Sequence, residues 1–277
     1  MRLRVGAGTD VGRLRHLNED AYMSRAEEGL FVVCDGMGGA RAGEVASQMA
    51  VDAIFKQLHG TTREEGEPAS SEEQKYLPHT SRLAAAVRRS NECIYNQAQS
   101  DPSQTGMGTT VVGAWIRQHI AGVAHVGDSR AYLWHDDRLE PLTRDHSLAE
   151  AQMAAGLVDG ETVLPAAHHN VLVRALGREP KVEVDLKEVP VQPGDYVLLC
   201  SDGLTRMVPD DVLAHAITEF REPQKICDHL IATANGNGGA DNITVVVVEV
   251  AGSRWRRLLD RSTRSMRGQN AEADASV

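Results

Sequence analysis

The stretch Leu30–Gly39 reads LFVVCDGMGG, and the rest of the chain is best read outward from it. Leu30, Phe31, Val32 and Val33 form a short β-branched and aromatic run, which predicts a buried strand. The run passes into Cys34 and is expected to stop at Asp35, ahead of glycines at 36, 38 and 39. An Asp-Gly pair after a strand is commonly a tight turn. A carboxylate at the open end of a buried strand, followed by backbone without Cβ atoms, can instead hold a cation closely. The choice depends on whether matching carboxylates occur elsewhere.

They do. Tyr196–Cys200 leads to Ser201-Asp202-Gly203, and Ile120–Val126 leads to Gly127-Asp128-Ser129. Gly238-Gly239-Ala240-Asp241-Asn242 leads into the apolar run Ile243–Val250. Upstream, GRLRHLNED (Gly12–Asp20) joins two predicted strands and carries Arg15, Asn18, Glu19 and Asp20. Clustered carboxylates in a poorly hydrated cleft cannot all stay ionised, and a pair of divalent cations resolves the repulsion. All-oxygen ligation points to Mg²⁺ or Mn²⁺ and away from zinc. The eleven histidines include no HExxH, and His168-His169 is their only adjacent pair. Two such ions roughly 3.5–4 Å apart would bridge a water, lower its pKa and aim it at phosphorus. Arg15, a fork suited to phosphate, then has the substrate as its partner.

Strands are predicted at residues 3–9, Tyr22–Ser24, Thr109–Ile116, Ile120–Val126, Ala131–Trp134, Val182–Val189, Tyr196–Cys200 and Ile243–Val250. Helices are predicted over Ala42–Leu58, with Val45, Met49, Ala53 and Ile54 inward, and over Ser81–Gln99, with Leu83, Val87, Ile94 and Tyr95 inward. Further helices are predicted near Leu148–Ala155, Asp210–Phe220 and Pro223–Ala234. Grouped antiparallel strands with inserted helix pairs suggest helices packed on a two-sheet sandwich rather than a βαβ alternation.

Hydrophobic residues make up 42% of the 277 and charged residues 25%, ordinary for a soluble globular protein. The net charge of −10 argues against a general nucleic-acid surface. No apolar run is long enough to span a membrane, and MRLRVGAGTD lacks a secretory h-region, so a cytoplasmic location is expected. The four cysteines, Cys34, Cys93, Cys200 and Cys227, form no CxxC pair and read as reduced thiols. Residues 59–79 are polar and mostly acidic and are read as an exposed loop, and the tail 253–277 is Arg-rich. That tail is read as solvated, with no membrane contact expected.

RHLNED, VVCDGMGG, GMGTT, VGDSR, LTRDHS, VRALG, LLCSDGL and GGADNIT occur in the order found in metal-dependent Ser/Thr protein phosphatases of the 2C class, the PPM family. The chain resembles the compact bacterial form, from about Gly6 to Val250. The resemblance implies an α+β fold, a four-layer αββα sandwich of two antiparallel sheets flanked by helix pairs, with a dinuclear metal site at one edge. It implies a catalytic domain over residues 1–252 with a flap at 145–175. It also implies that Asp35 bridges both ions and that the Gly36 carbonyl ligates one. Asp202 and Asp241 would complete the first ion's shell, Glu19 and Asp20 would act on the second, and Asp128 with Asp202 would form a third, weaker site. Arg15 would orient the phosphate, and Asn242 is an auxiliary candidate. The activity implied is hydrolysis of phosphoserine and phosphothreonine proteins by in-line attack of a metal-bridging water, opposing a Ser/Thr kinase, in a monomer.

Met37 stands where eukaryotic members carry a histidine proposed as general acid. His146, in RDHS, is a candidate acid by residue type or else a flap-holding residue, and a solvent or metal-bound water could serve instead. Two other readings exist. DGMGGAR could be a phosphate cradle before a helix, although Arg41 replaces the final glycine of that pattern and Asp128, Asp202 and Asp241 are left unexplained. A catalytically silent phosphoprotein-binding module would be expected to lack some of these carboxylates.

Overall fold

The computed structural model describes residues 1–38, 42–59, 73–157 and 171–252. Arg41, most of the acidic loop, the middle of the expected flap and the Arg-rich tail lie outside the described residues.

The strands are β1 (Arg2–Asp10), β2 (Asp20–Arg25), β3 (Leu30–Met37), β4 (Gly108–Thr109), β5 (Val111–Arg117), β6 (Ile120–Val126), β7 (Arg130–His135), β8 (Arg138–Pro141), β9 (Asp185–Pro190), β10 (Tyr196–Cys200) and β11 (Ile243–Ala251). The helices are α1 (Ala42–His59), α2 (Pro78–Ser100), α3 (Leu148–Ala154), α4 (Asp202–Thr205), α5 (Asp210–Phe220) and α6 (Pro223–Gly236). One sheet has the order β1-β11-β10-β7-β8 and the other β2-β3-β5-β6-β9, with β4 on β3. Every pairing is antiparallel.

Antiparallel strands usually alternate apolar and polar residues because one face meets water. Here the central strands are mostly apolar on both faces, because both faces are covered. In β11, Val245 and Val247 face a cluster with Leu213, Ile217, Ile226 and Leu230 of α5 and α6. Val246, Val248 and Val250 face the opposite way, against Phe31, Val112 and Val123 of the other sheet. In β3, Leu30, Val32 and Cys34 meet Ala46, Ala50, Leu83 and Val87 of α1 and α2. These three buried layers make a four-layer sandwich.

The inward face of α1 is Ala42, Ala46, Ala50, Val51 and Ile54, while Val45 and Met49 are only partly buried. Small residues let α1 approach the sheet, so Val45, Met49 and Ala53 sit at its margin, while Ile54 is buried as expected. Tyr95 is likewise half-buried, unlike Leu83, Val87 and Ile94. The expected strand Thr109–Ile116 divides at Thr110, and the expected strand Val182–Val189 begins only at Asp185. β8 escapes a hydrophobic pattern because it is short and solvated. It is made by a two-residue turn at Asp136 and Asp137, both at positive φ, the geometry that suits a tight hairpin.

The largest difference lies at the opening stretch. β3 does not stop at Asp35; it continues through Gly36 and Met37, which pair with Thr109 and Gly108. No helix among the described residues is long and apolar enough to cross a membrane.

His125 of β6 is 1% exposed, and neither ring nitrogen makes a hydrogen bond of normal geometry. Burial, reinforced by the His146 ring 4.6 Å away, pushes it down to about 3. The unfolded chain takes up this proton near pH 6.5. Stability present at neutral pH is therefore lost as pH falls from about 6.5 toward 3, at ~1.4 kcal/mol per pH unit from this group. His125→Phe is expected to flatten the acid limb of thermal stability against pH; an unchanged limb would show that another group titrates.

Candidate metal centre

The β2–β3 register places Asp20 directly opposite Asp35. Like charges in that relation destabilise a sheet, so both must be held in place by other groups. The Asp35 N–H donates to Thr110 Oγ1 at 2.9 Å, and its carbonyl accepts from Thr110 N–H at 2.8 Å and Thr109 Oγ1 at 2.9 Å. Asp20 Oδ2 accepts from Ser201 Oγ at 2.7 Å and Thr244 Oγ1 at 2.6 Å. Asp20 Oδ1 and Asp202 Oδ1 are both buried with no hydrogen-bond partner. Two orphaned carboxylate oxygens fit a cation better than they fit an all-protein site.

Arg15, Glu19, Asp35, Gly36, Asp128, Asp202, Asp241 and Asn242 line one cleft of about 830 Å³; Asp20, paired across the strands with Asp35, is not part of that lining. Asp128 is 6% and Asp202 8% exposed. Arg15 Nη2 donates to Asp241 Oδ2 at 2.8 Å, and the Asn242 N–H donates to Asp241 Oδ1 at 2.9 Å. Among the described residues, no three acidic, His or Cys side chains already converge on one ligating point. Protein donors hold several of the oxygens: Arg15 and Arg206 engage Asp241, and Arg206 pairs with Asp202.

Asn242 ties the cleft's two rims together. Its Oδ1 accepts from Glu19 N–H at 2.8 Å, and its Nδ2 donates to the carbonyls of Val11 at 3.0 Å and Leu17 at 2.9 Å. The glycines have a packing reason. A Cβ on Gly36 would lie 2.1 Å from the Gly43 carbonyl oxygen, and one on Gly43 would lie 2.5 Å from Glu19 Oε1. Both positions keep the first turn of α1 tight against the carboxylates, which the cradle reading of DGMGGAR does not require.

Burial sets the electrostatics. It pushes Asp20 up to about 7 against the pull of the Thr244 and Ser201 hydroxyls. Asp128 also rises to about 7, through burial and then the charge of Asp202. Asp35 rises well above the carboxylate range, and Asp202 rises as well, each mainly by burial. A divalent cation would reverse these shifts by favouring the ionised forms.

His146 lies outside the cleft lining. Its Nδ1 accepts the Gly127 N–H at 3.0 Å, so the ring proton sits on Nε2, facing Asp185 Oδ2 at 3.3 Å. The His146 backbone bonds Gly127 and Val173, joining the Asp128 turn to the flap. Asp185 is pushed down to about 2, chiefly by its hydrogen bond to His146. Met37 lines the cleft with no proton to give, its Sδ 4.0 Å from Arg178 Nη2.

Thr110, Ser201, Thr244 and Arg206 carry no signal of a site role in the sequence alone. The first three lie inside GMGTT, LLCSDGL and GGADNIT, as hydroxyls near glycines or aspartates. Arg206 is hidden by reading Ser201-Asp202-Gly203 as a turn. Asp202 in fact opens α4, so Arg206 sits at i+4 and folds back onto it.

A sequence model of the family Protein phosphatase 2C matches residues 8–240, most of the chain and every carboxylate above except Asp241. The chain belongs to the protein phosphatase 2C family. Among curated relatives of this family member, the serine/threonine phosphatase stp of Listeria innocua is 41% identical over 244 residues, 87% of this chain and 93% of that protein. Among solved structures, the Mycobacterium tuberculosis serine/threonine phosphatase PstP/Ppp superposes with a TM-score of 0.78 at 32% identity, covering 91% of this chain and all of that one. The catalytic domain of PstP in complex with two manganese ions gives a TM-score of 0.76 at 35% identity, covering 91% of this chain and 99% of that one.

In chelator-treated protein, ionised Asp20 opposes folding, and the effect grows as pH rises from about 4 toward 7. Asp20→Asn is therefore expected to melt near wild type at pH 4 and higher at pH 7.5, by about 1 kcal/mol or more, roughly 2 °C or more in Tm. A difference that does not change with pH would show that Asp20 is not the strained group.

Proposed function

We propose that this member of the protein phosphatase 2C family, a serine/threonine phosphatase, hydrolyses phosphoserine and phosphothreonine in proteins at the Asp35–Asp202–Asp241 cleft. The observation that carries the proposal is that Glu19, Asp35, Asp128, Asp202, Asp241 and Arg15 line one cleft, with Asp20 Oδ1 and Asp202 Oδ1 left without a hydrogen-bond partner. The names of the Listeria relative and of PstP support the same substrate class, and PstP's two manganese ions support a dinuclear centre here.

Asp35 and the Gly36 carbonyl would hold a pair of Mn²⁺ or Mg²⁺ ions, with Asp202 and Asp241 completing one shell and Glu19 and Asp20 acting on the other. When bound, such a pair supplies a water of lowered pKa and neutralises charge at phosphorus for in-line displacement. The chain's own residues bind and orient. The Arg15 side chain is 51% exposed and, among the described residues, pairs with Asp241, so its fork can turn to a phosphate. Asn242 acts as a positioning residue, fixing the loop that carries Arg15 and Glu19 against Asp241. Met37 has no proton for the leaving alkoxide, and the only ring N–H of His146 faces Asp185. We assign His146 to holding the flap, and the proton to solvent in the open cleft.

The substrates are phosphoproteins, and the enzyme that supplies them is a Ser/Thr kinase of overlapping specificity. The catalytic unit is residues 1–252, acting as a monomer.

Asp35→Asn and Asp202→Asn are expected to lower Mn²⁺-dependent turnover of a phosphothreonine peptide by at least ~100-fold. Chelation should abolish wild-type turnover and added Mn²⁺ restore it. Arg15→Lys should raise KM about tenfold through loss of the bidentate fork. Retained turnover in folded Asp35→Asn protein would sink the assignment of the cleft.

A further inference from the structure

Arg206, like Arg15, pairs directly with the aspartates of the cleft, and its geometry is specific. It caps the single helical turn that Asp202 opens, its N–H donating to the Asp202 carbonyl at 2.9 Å. That turn returns its side chain over Asp202. Nη2 pairs with Asp202 Oδ2 and lies 3.6 Å from Asp128 Oδ2, while Nη1 lies 3.7 Å from Asp241 Oδ2. The side chain is about one-third exposed, and the Asp128 and Asp202 side chains it faces are 8% and 11% exposed.

Asp128 and Asp202 are the pair expected to form a third, weaker metal site. We propose instead that Arg206 is a built-in cation standing between them in place of a third ion, a reading that rests on the dinuclear centre proposed above. The two oxygens of Asp202 have separate surroundings. Oδ1 is buried without a hydrogen-bond partner, whereas Oδ2 is committed to the guanidinium. A third ion drawing on Oδ2 of both carboxylates would have to displace Arg206. A guanidinium cannot step aside by losing its proton. Asp128 serves as a positioning residue: it anchors Arg206, which in turn orients Asp202.

The test is native mass spectrometry of the full chain titrated with Mn²⁺, with isothermal calorimetry for the affinities. Wild type is expected to saturate at a pair of ions, and Arg206→Ala to gain one further ion that Arg206→Ala/Asp128→Asn loses again. Arg206→Lys, which keeps a cation, is expected to stay at a pair. Asp128→Asn in the wild-type background is expected to leave the count unchanged, which keeps the test open should Arg206→Ala not fold. A wild-type chain that takes a third ion through Asp128, or a folded Arg206→Ala that gains none, would overturn the Arg206 assignment alone. A wild-type chain binding fewer than a pair would overturn the dinuclear reading itself.

Discussion

Asp20 and Asp35 face each other across adjacent antiparallel strands, and much of the cleft is arranged around that repulsion. Left alone, the pair would push β2 and β3 apart. Instead, Ser201 and Thr244 from the opposite sheet reach across to Asp20, and Thr109 and Thr110 clamp the backbone at Asp35. The two sheets are thus joined at this edge through the same carboxylates that electrostatics would separate. Each fully buried Val, Leu or Ile contributes about 1.5–3 kcal/mol. Three apolar layers between and outside the sheets can therefore sustain a group of raised-pKa carboxylates that a thinner domain could not.

The balance of charge in the cleft is local. Arg15 comes from the loop before β2 and Arg206 from the end of α4, and both reach Asp241. Asn242 adds no charge, but it fixes Glu19, Val11 and Leu17 relative to Asp241 with hydrogen bonds of 2.8–3.0 Å. The cleft holds acidic groups at energies they resist, and it does so through neighbouring hydroxyls and amides as much as through charge.

The sandwich was legible because its signal is additive. Ile243–Val250, Ile120–Val126 and Tyr196–Cys200 are apolar enough to read as strands singly, and their edges agree with the structure within a residue or two. The errors fall where burial depends on a neighbour. Val45 and Met49 look like an inward face, yet Ala46 and Ala50 take it because the sheet approaches α1 too closely for larger residues. Asp35 looks like a strand end, yet β4 extends pairing past it through Gly36 and Met37.

The layer architecture and the placing of the acidic residues at strand ends follow from short stretches, because hydrophobic periodicity and glycine-flanked aspartates are local properties. Which atoms of those residues are available is settled by packing between distant elements. Whether Asp202 offers one oxygen or two depends on Arg206 curling back over α4, and whether His146 can reach a substrate depends on which nitrogen Gly127 occupies. Those are matters of side-chain direction and hydrogen-bond partner across elements distant in sequence. LFVVCDGMGG brings Asp35 and Gly36 to the cleft, and the opposing sheet supplies the hydroxyls that hold the facing Asp20.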